Sequence, residues 1–173
     1  YAFEQHIAET QSLRERMEVS FSLMLLDLDN FKWINDTYGH NYGDMILTLV
    51  SERLQKVCRE HDLLCRLGGD EFALALYCKE QGYSHIVANR IFEALKAPFE
   101  FDSLSLKIEC SIGIADFNSD FENLNDALKK ADLAMYHAKS SGKNTFHYFS
   151  EELQLAAERR ISIESELREA LEK

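Results

Sequence analysis

Residues 21–28 (FSLMLLDL) constrain the fold more than any other part of the chain. A half-exposed strand alternates apolar and polar side chains, whereas a run with almost no alternation is that of a strand buried on both faces. The run is also far short of the ~20 apolar residues that a membrane-spanning helix needs. The chain therefore has to place this strand between two covering layers, and it ends the strand in carboxylates, Asp27 and Asp29. With 173 residues it is long enough for one domain with a full core.

The covering layers are legible on either side. Apolar residues recur at helical spacing over residues 1–18, 45–57, 84–96 and 123–140. In the third of these helices Ile86, Ala88, Ile91, Phe92 and Leu95 form the apolar stripe, and Gly142 supplies a left-handed stop for the fourth. Short strands are predicted over 63–67, 72–77, 99–101, 104–117 and 145–149, with one hairpin turning near Asp102-Ser103 and another on Gly68-Gly69-Asp70-Glu71. Ser150 reads as the N-cap of a last, highly charged helix reaching residue 173. Antiparallel hairpins mixed with helices predict an α+β fold, with a central, mainly antiparallel sheet flanked by helices.

Charge excludes several partners. Lys and Arg number 19 against 30 Asp and Glu, a net charge of -11. Nucleic-acid polymers want a basic footprint, and anionic membrane surfaces want the same. An anionic ligand would therefore need a metal ion or a few placed cations. Cys58, Cys65, Cys78 and Cys110 form no C-x-x-C pair and read as reduced, largely buried thiols of a cytoplasmic protein. The first residues show no signal-peptide pattern and read as mid-helix, as in an excised domain.

Two acidic clusters sit at strand ends. In a strand, residues two apart share a face, so Asp27 and Asp29 point the same way. Asp70 and Glu71 lie on a turn whose glycines let a ligand approach the backbone. Carboxylates gathered from separate strand ends can hold Mg²⁺ together with substrate phosphates. The plainer readings are a helix N-cap for Asp29 and ordinary turn chemistry for Gly69-Asp70.

Arg66-Leu67-Gly68-Gly69-Asp70-Glu71-Phe72 resembles the signature of the GGDEF family, the diguanylate cyclases. Upstream, DLDNFKWIND at 27–36, Gly39-His40 and Gly43-Asp44 resemble that family's D-x-D-x-F-K-x-I-N-D…G-H…G-D stretch. Downstream, Ala131-Asp132 and YHAKSSGKN at 136–144 resemble its late segment. The resemblance spans residues 1–149 as the nucleotide-cyclase domain and leaves 150–173 as a C-terminal helix.

The resemblance implies a palm-like fold akin to adenylyl cyclases and polymerases, with a ferredoxin-like core. It implies condensation of two GTP into cyclic di-GMP and pyrophosphate across a homodimer, with Mg²⁺ or Mn²⁺. Asp27, Asp70 and the Leu28 carbonyl would ligate metal, and Glu71 would be the general base or a further metal partner. Asn35 and Asp44 would read the guanine, with His40 beside them and Gly68 and Gly69 lining the substrate. Phe31 and Lys32 would approach the phosphates, Lys32 stabilising transition-state charge, while Lys139 and Lys143 would meet the β- and γ-phosphates. The plainer readings are a helix cap before Met45 for Asp44, and solvated helix-end cations for the two late lysines.

Arg59-Glu60-His61-Asp62 resembles the family's R-x-x-D inhibitory product site, with Arg90 as a second arm; a helix-end salt bridge is the alternative. The triplets Glu93-Ala94-Leu95 and Glu169-Ala170-Leu171 match the letters of the cyclic di-GMP phosphodiesterase motif but sit in helical patterns. The ISIESELREALEK ending instead resembles the linker to a following E-A-L phosphodiesterase domain. The parent protein is thus expected to be a GGDEF–EAL hybrid, cytoplasmic or membrane-anchored. A regulatory domain that binds GTP or cyclic di-GMP without turnover is the rival to an active cyclase.

Overall fold

The structure, a computed structural model, describes residues 20–78, 82–101, 104–117 and 124–171. The helix expected over residues 1–18 and the turn at Asp102-Ser103 lie outside the described residues. Chain order is β1 (Ser20–Leu28), α1 (Phe31–Tyr38), α2 (His40–Val57), β2 (Leu63–Gly68), β3 (Glu71–Cys78), α3 (Tyr83–Lys96), β4 (Phe99–Phe101), β5 (Leu104–Leu106), β6 (Cys110–Phe117), α4 (Leu124–Ser140), β7 (Phe146–Tyr148) and α5 (Glu151–Leu171).

β1 is the middle strand of a five-stranded sheet ordered β2-β3-β1-β6-β7. It runs antiparallel to both β3 and β6, β2 is antiparallel to β3, and only β6 and β7 run parallel. Both faces of β1 are covered, as its sequence demands. Met24, Leu26 and Leu28 enter the larger core with Ile46, Val50 and Leu54 of α2 and Val87 and Ile91 of α3. Phe21, Leu23 and Leu25 face the other way, into a smaller core with Ala127, Ala131 and Met135 of α4. Burying one such side chain contributes roughly 1.5–3 kcal/mol.

Three expectations change in detail. The long strand expected over 104–117 is broken: β4 and β5 form a separate ribbon, and β6 starts only at Cys110. In α3 the buried stripe is Tyr83, Ser84, Val87, Ala88, Ile91 and Leu95. Ile86 is 44% exposed, because the helix begins at Tyr83 and that residue, together with Ser84, takes the inward positions of the first turn. Cys110 is buried, whereas Cys58 and Cys65 are only partly so, and all three are free thiols.

α4 lies directly on β6. A Cβ on Gly113 would overlap the Ala131 carbonyl oxygen and the Met135 nitrogen, so glycine sets the separation of helix and strand. Ser150 caps α5 as expected, its Oγ accepting the Leu153 N–H at 3.3 Å.

Candidate functional site

Register brings the two acidic motifs together. Asp27 on β1 lies opposite Glu71 on β3 and Ser111 on β6. The Leu28 N–H donates to the Asp70 carbonyl at 3.3 Å, docking the glycine turn against the end of β1. Arg66 closes that turn, its Nε donating to the Gly69 carbonyl at 2.9 Å. Gly69 has φ 52°, a left-handed value that glycine adopts at little cost. Nothing stands within 4 Å of a Cβ built on Gly68 or Gly69, so a ligand can reach the backbone of the turn.

Asp27 is buried, and the Lys139 ammonium of α4 stands 2.7 Å from its Oδ2. Burial raises the Asp27 carboxyl above the ordinary carboxylate value. The bond from Lys139 opposes that rise, while the charges of Asp70 and Glu71 add to it. The ion pair therefore only partly offsets a site whose clustered negative charge favours a further cation.

Asp29 is not a helix cap. The N-cap position of α1 belongs to Asn30, in the left-handed conformation at φ 61°, and no side chain caps the helix. Asp29 instead accepts from Ser111 Oγ at 2.8 Å and from the Asn144 backbone N–H at 3.0 Å. Next to it, Lys143 Nζ donates to Asn30 Oδ1 at 2.8 Å. The loop after α4 is thus tied to the β1–α1 turn at two points. Positive φ values at Gly142, Lys143 and Asn144 give the loop the shape this requires. Sequence reasoning did not single out Asn30, Ser111 or Asn144 as site residues. Ser111 carries no local signal, and the side chains it joins meet only once β6 is laid beside β1.

The residues expected at the base lie on the other side of β1. Phe31, expected near the phosphates, packs its ring into the larger core, and Lys32 is exposed beside it. Gly39, at φ 88°, breaks α1 from α2, and His40 opens α2. Because α2 starts at His40 rather than Met45, Asp44 lies within the helix and is no cap. Gly43 is where the two helices touch: a Cβ there would overlap Asn35 Oδ1. That contact holds the Asn35 carboxamide against α2, one residue before the exposed Asp44. A cavity of about 400 Å³ opens between the glycine turn and α4, lined by Glu71, Lys129, Asp132, Tyr136 and Lys139 among others.

Arg59 and Asp62 form a compact turn after α2. The Asp62 N–H donates to the Arg59 carbonyl at 3.0 Å, and the Arg59 N–H donates to Asp62 Oδ2 at 2.8 Å. The helix-end salt bridge is not made; the Arg59 guanidinium lies over the Tyr83 ring instead, 4.1 Å from its centroid. Burial and the Asp62 charge push the Cys58 thiol up to about 11, so it is no nucleophile at neutral pH.

Among the described residues no three carboxylate, imidazole or thiol groups converge on a point that could hold a metal ion. The donor set nevertheless suits Mg²⁺. Oxygens from Asp27, Asp70 and the Leu28 carbonyl are of the kind that ion takes, one or two carboxylates being completed by substrate phosphate.

The family model "Diguanylate cyclase, GGDEF domain" matches residues 1–145. The chain is 37% identical over 169 residues to the cyclic di-GMP phosphodiesterase NbdA of Pseudomonas aeruginosa, covering 98% of this chain and 21% of NbdA. It is 35% identical over 153 residues to the bifunctional diguanylate cyclase/cyclic di-GMP phosphodiesterase MucR of the same organism, covering 88% of this chain and 22% of MucR. The chain thus spans about a fifth of the length of these relatives. Among solved structures, the GGDEF domain of TpbB (YfiN) from Pseudomonas aeruginosa superposes with a TM-score of 0.85 at 29% identity, over 90% of this chain and 92% of that one. The GGDEF domain of DgcB from Caulobacter crescentus, in complex with c-di-GMP, superposes with a TM-score of 0.78 at 26% identity, over 85% and 88%. By motif, fold and similarity, the chain belongs to the GGDEF family of diguanylate cyclase domains.

Proposed function

We propose that this domain condenses two GTP into cyclic di-GMP and pyrophosphate, each subunit of a two-fold dimer presenting one nucleotide. The observation that carries the reading is the β1–β3 register, which sets Asp27 opposite Glu71, with Asp70 docked at the end of β1 through the Leu28 N–H and Lys139 paired with Asp27. A buried Asp27, paired with a lysine and flanked by the more exposed Asp70 and Glu71, suits an anionic substrate delivered with a cation.

Asn35 and Asp44 recognise the guanine by hydrogen bonds that adenine cannot return, since an unmatched polar group in such a site is costly. The ammonium groups of Lys139 and Lys143 hold the β- and γ-phosphates, and Lys32 and the α1 amino end neutralise charge that grows at the α-phosphate. Lys139 on Asp27 and Lys143 on Asn30 bring both ammonium groups to the end of β1, within reach of a phosphate chain bound there. Glu71 accepts the proton of the attacking 3′-hydroxyl. Each new bond joins a 3′-oxygen to the α-phosphorus of the other nucleotide as that phosphorus releases its pyrophosphate; two such displacements, one in each direction across the dimer, close the ring and release two pyrophosphates. Mg²⁺ or Mn²⁺ held by Asp27, Asp70 and the Leu28 carbonyl would supply Lewis-acid stabilisation of the phosphate charge.

Arg59, Asp62 and Arg90 are read as a site for the product, through which cyclic di-GMP restrains turnover. α5, with Leu155 and Ile163 more than half exposed, is read as a linker to an E-A-L phosphodiesterase domain in the parent protein. The deciding assay incubates the protein with GTP and Mg²⁺ and quantifies cyclic di-GMP. Product should form, and Asp70→Ala should lower the rate roughly a hundredfold or more. GTP binding with no product at high protein concentration would overturn the cyclase reading in favour of a regulatory nucleotide-binding domain, in line with the phosphodiesterase name of NbdA.

A further inference from the structure

Asp62 spends its carboxylate unevenly. Oδ2 accepts two hydrogen bonds, from the Arg59 backbone N–H and from the Tyr83 hydroxyl, both at 2.8 Å. Oδ1 is buried and has no partner, an uncommon state for a buried acceptor. Tyr83, at the start of α3, is itself 3% exposed, and the Arg59 guanidinium rests on its ring. Among the described residues neither Arg59 nor Arg90 is in an ion pair. Both cations lie near enough to Tyr83 to act on its phenol, while burial and Asp62 push that phenol well above its usual range, so it remains a hydrogen-bond donor.

In an R-x-x-D turn the guanidinium and the carboxylate are close enough in sequence to pair with each other. Here the phenol ring and hydroxyl lie on the two groups and keep them apart. A guanidinium on an aromatic face retains its N–H donors for a planar anion. A carboxylate with one oxygen pinned is fixed in orientation, and its buried, unpartnered Oδ1 gains by accepting from an N–H donor that reaches it. We infer that Tyr83 is the positioning residue of this ligand site, holding Asp62 and Arg59 separately poised for a nucleotide that offers phosphate oxygens and guanine N–H groups together. The inference rests on the proposed product-binding role of Arg59, Asp62 and Arg90.

The test compares cyclic di-GMP affinity with GTP affinity, both by calorimetry on the full chain, alongside thermal melting. Tyr83→Phe keeps the ring and loses the hydroxyl, and should weaken cyclic di-GMP about tenfold, with GTP affinity unchanged and the melting temperature only slightly lowered. Tyr83→Leu loses the ring too and should weaken it several-fold more. In an Asp62→Ala background, Tyr83→Phe should cost nothing further, because the hydroxyl acts through Asp62. Wild-type cyclic di-GMP affinity in Tyr83→Phe, when Arg59→Ala has lost it, overturns the role of Tyr83 alone. Wild-type affinity in Arg59→Ala overturns the site itself. A parallel fall in melting temperature, GTP affinity and cyclic di-GMP affinity in Tyr83→Phe makes Tyr83 merely structural and overturns the inference.

Discussion

Single side chains in this domain are held by partners that no local pattern announces. Asp29 stands where a helix cap is expected, yet it bonds Ser111 and the Asn144 backbone and so ties two strands and a loop at the site. A second tie supports the same loop. His147 of β7 packs edge-to-face on His137 of α4 with ring centroids 4.4 Å apart, and its Nε2 lies 3.0 Å from Ser141 Oγ. Burial, and then the proximity of His137, lower His147 below the ordinary 6.5. The unfolded chain therefore takes up this proton at a higher pH than the folded one does. Stability from this group is complete above about pH 6.5 and is lost as pH falls through the lowered value. His147→Gln is expected to flatten the fall in melting temperature between pH 7 and pH 5. An unchanged slope would place the pH dependence elsewhere.

At the scale of elements, two glycines set how closely backbones approach. At Gly43, α1 and α2 meet with the Asn35 carboxamide in the space a Cβ would take. Gly43→Ala is expected to displace Asn35 and raise the KM for GTP about tenfold, the loss of one hydrogen bond's worth of binding, as read in steady-state turnover. At Gly113 the obstructing atoms are backbone of α4, which cannot step aside as a side chain can. Gly113→Ala is therefore expected to destabilise by about 3 kcal/mol, the upper end for overpacking, measured by urea unfolding. The register of β1 against β3 is the third such decision. A slip of one residue would turn Asp27 into the larger core and Leu28 toward α4, so the apolar pattern of β1 itself guards the site.

For the whole molecule, an acidic protein and an anionic substrate look opposed. Under the proposed function the cluster of Asp27, Asp70 and Glu71 resolves the opposition, because acids gathered at one sheet end suit a cation that would travel with the nucleotide, and Lys139 adds positive charge against Asp27. No described helix is long and apolar enough to cross a membrane. Condensing two nucleotides held on separate subunits makes the proposed rate depend on association. On dilution below the dimer dissociation constant, turnover per subunit is expected to fall in proportion to protein concentration, roughly tenfold for each tenfold dilution, by mass action. Constant specific activity across that range would mean that one subunit suffices.

Much of this was legible in the chain. The unbroken apolar run of β1 demanded a strand covered on both sides, and its ending in acids marked the site, because burial periodicity is a local property. The glycine turn and its acids were readable for the same reason, as was the serine that caps α5; the helical stripe of α3 was readable only in part, since Ile86 faces solvent. Distance in sequence hid the rest. Only the tertiary structure decided that Lys139 pairs with Asp27, that Ser111 and Asn144 claim Asp29, and that Tyr83 stands between Arg59 and Asp62. Each of these joins residues far apart along the chain, so its geometry exists only after strands have paired and helices have packed, when burial makes an unpartnered polar group costly enough to select one arrangement.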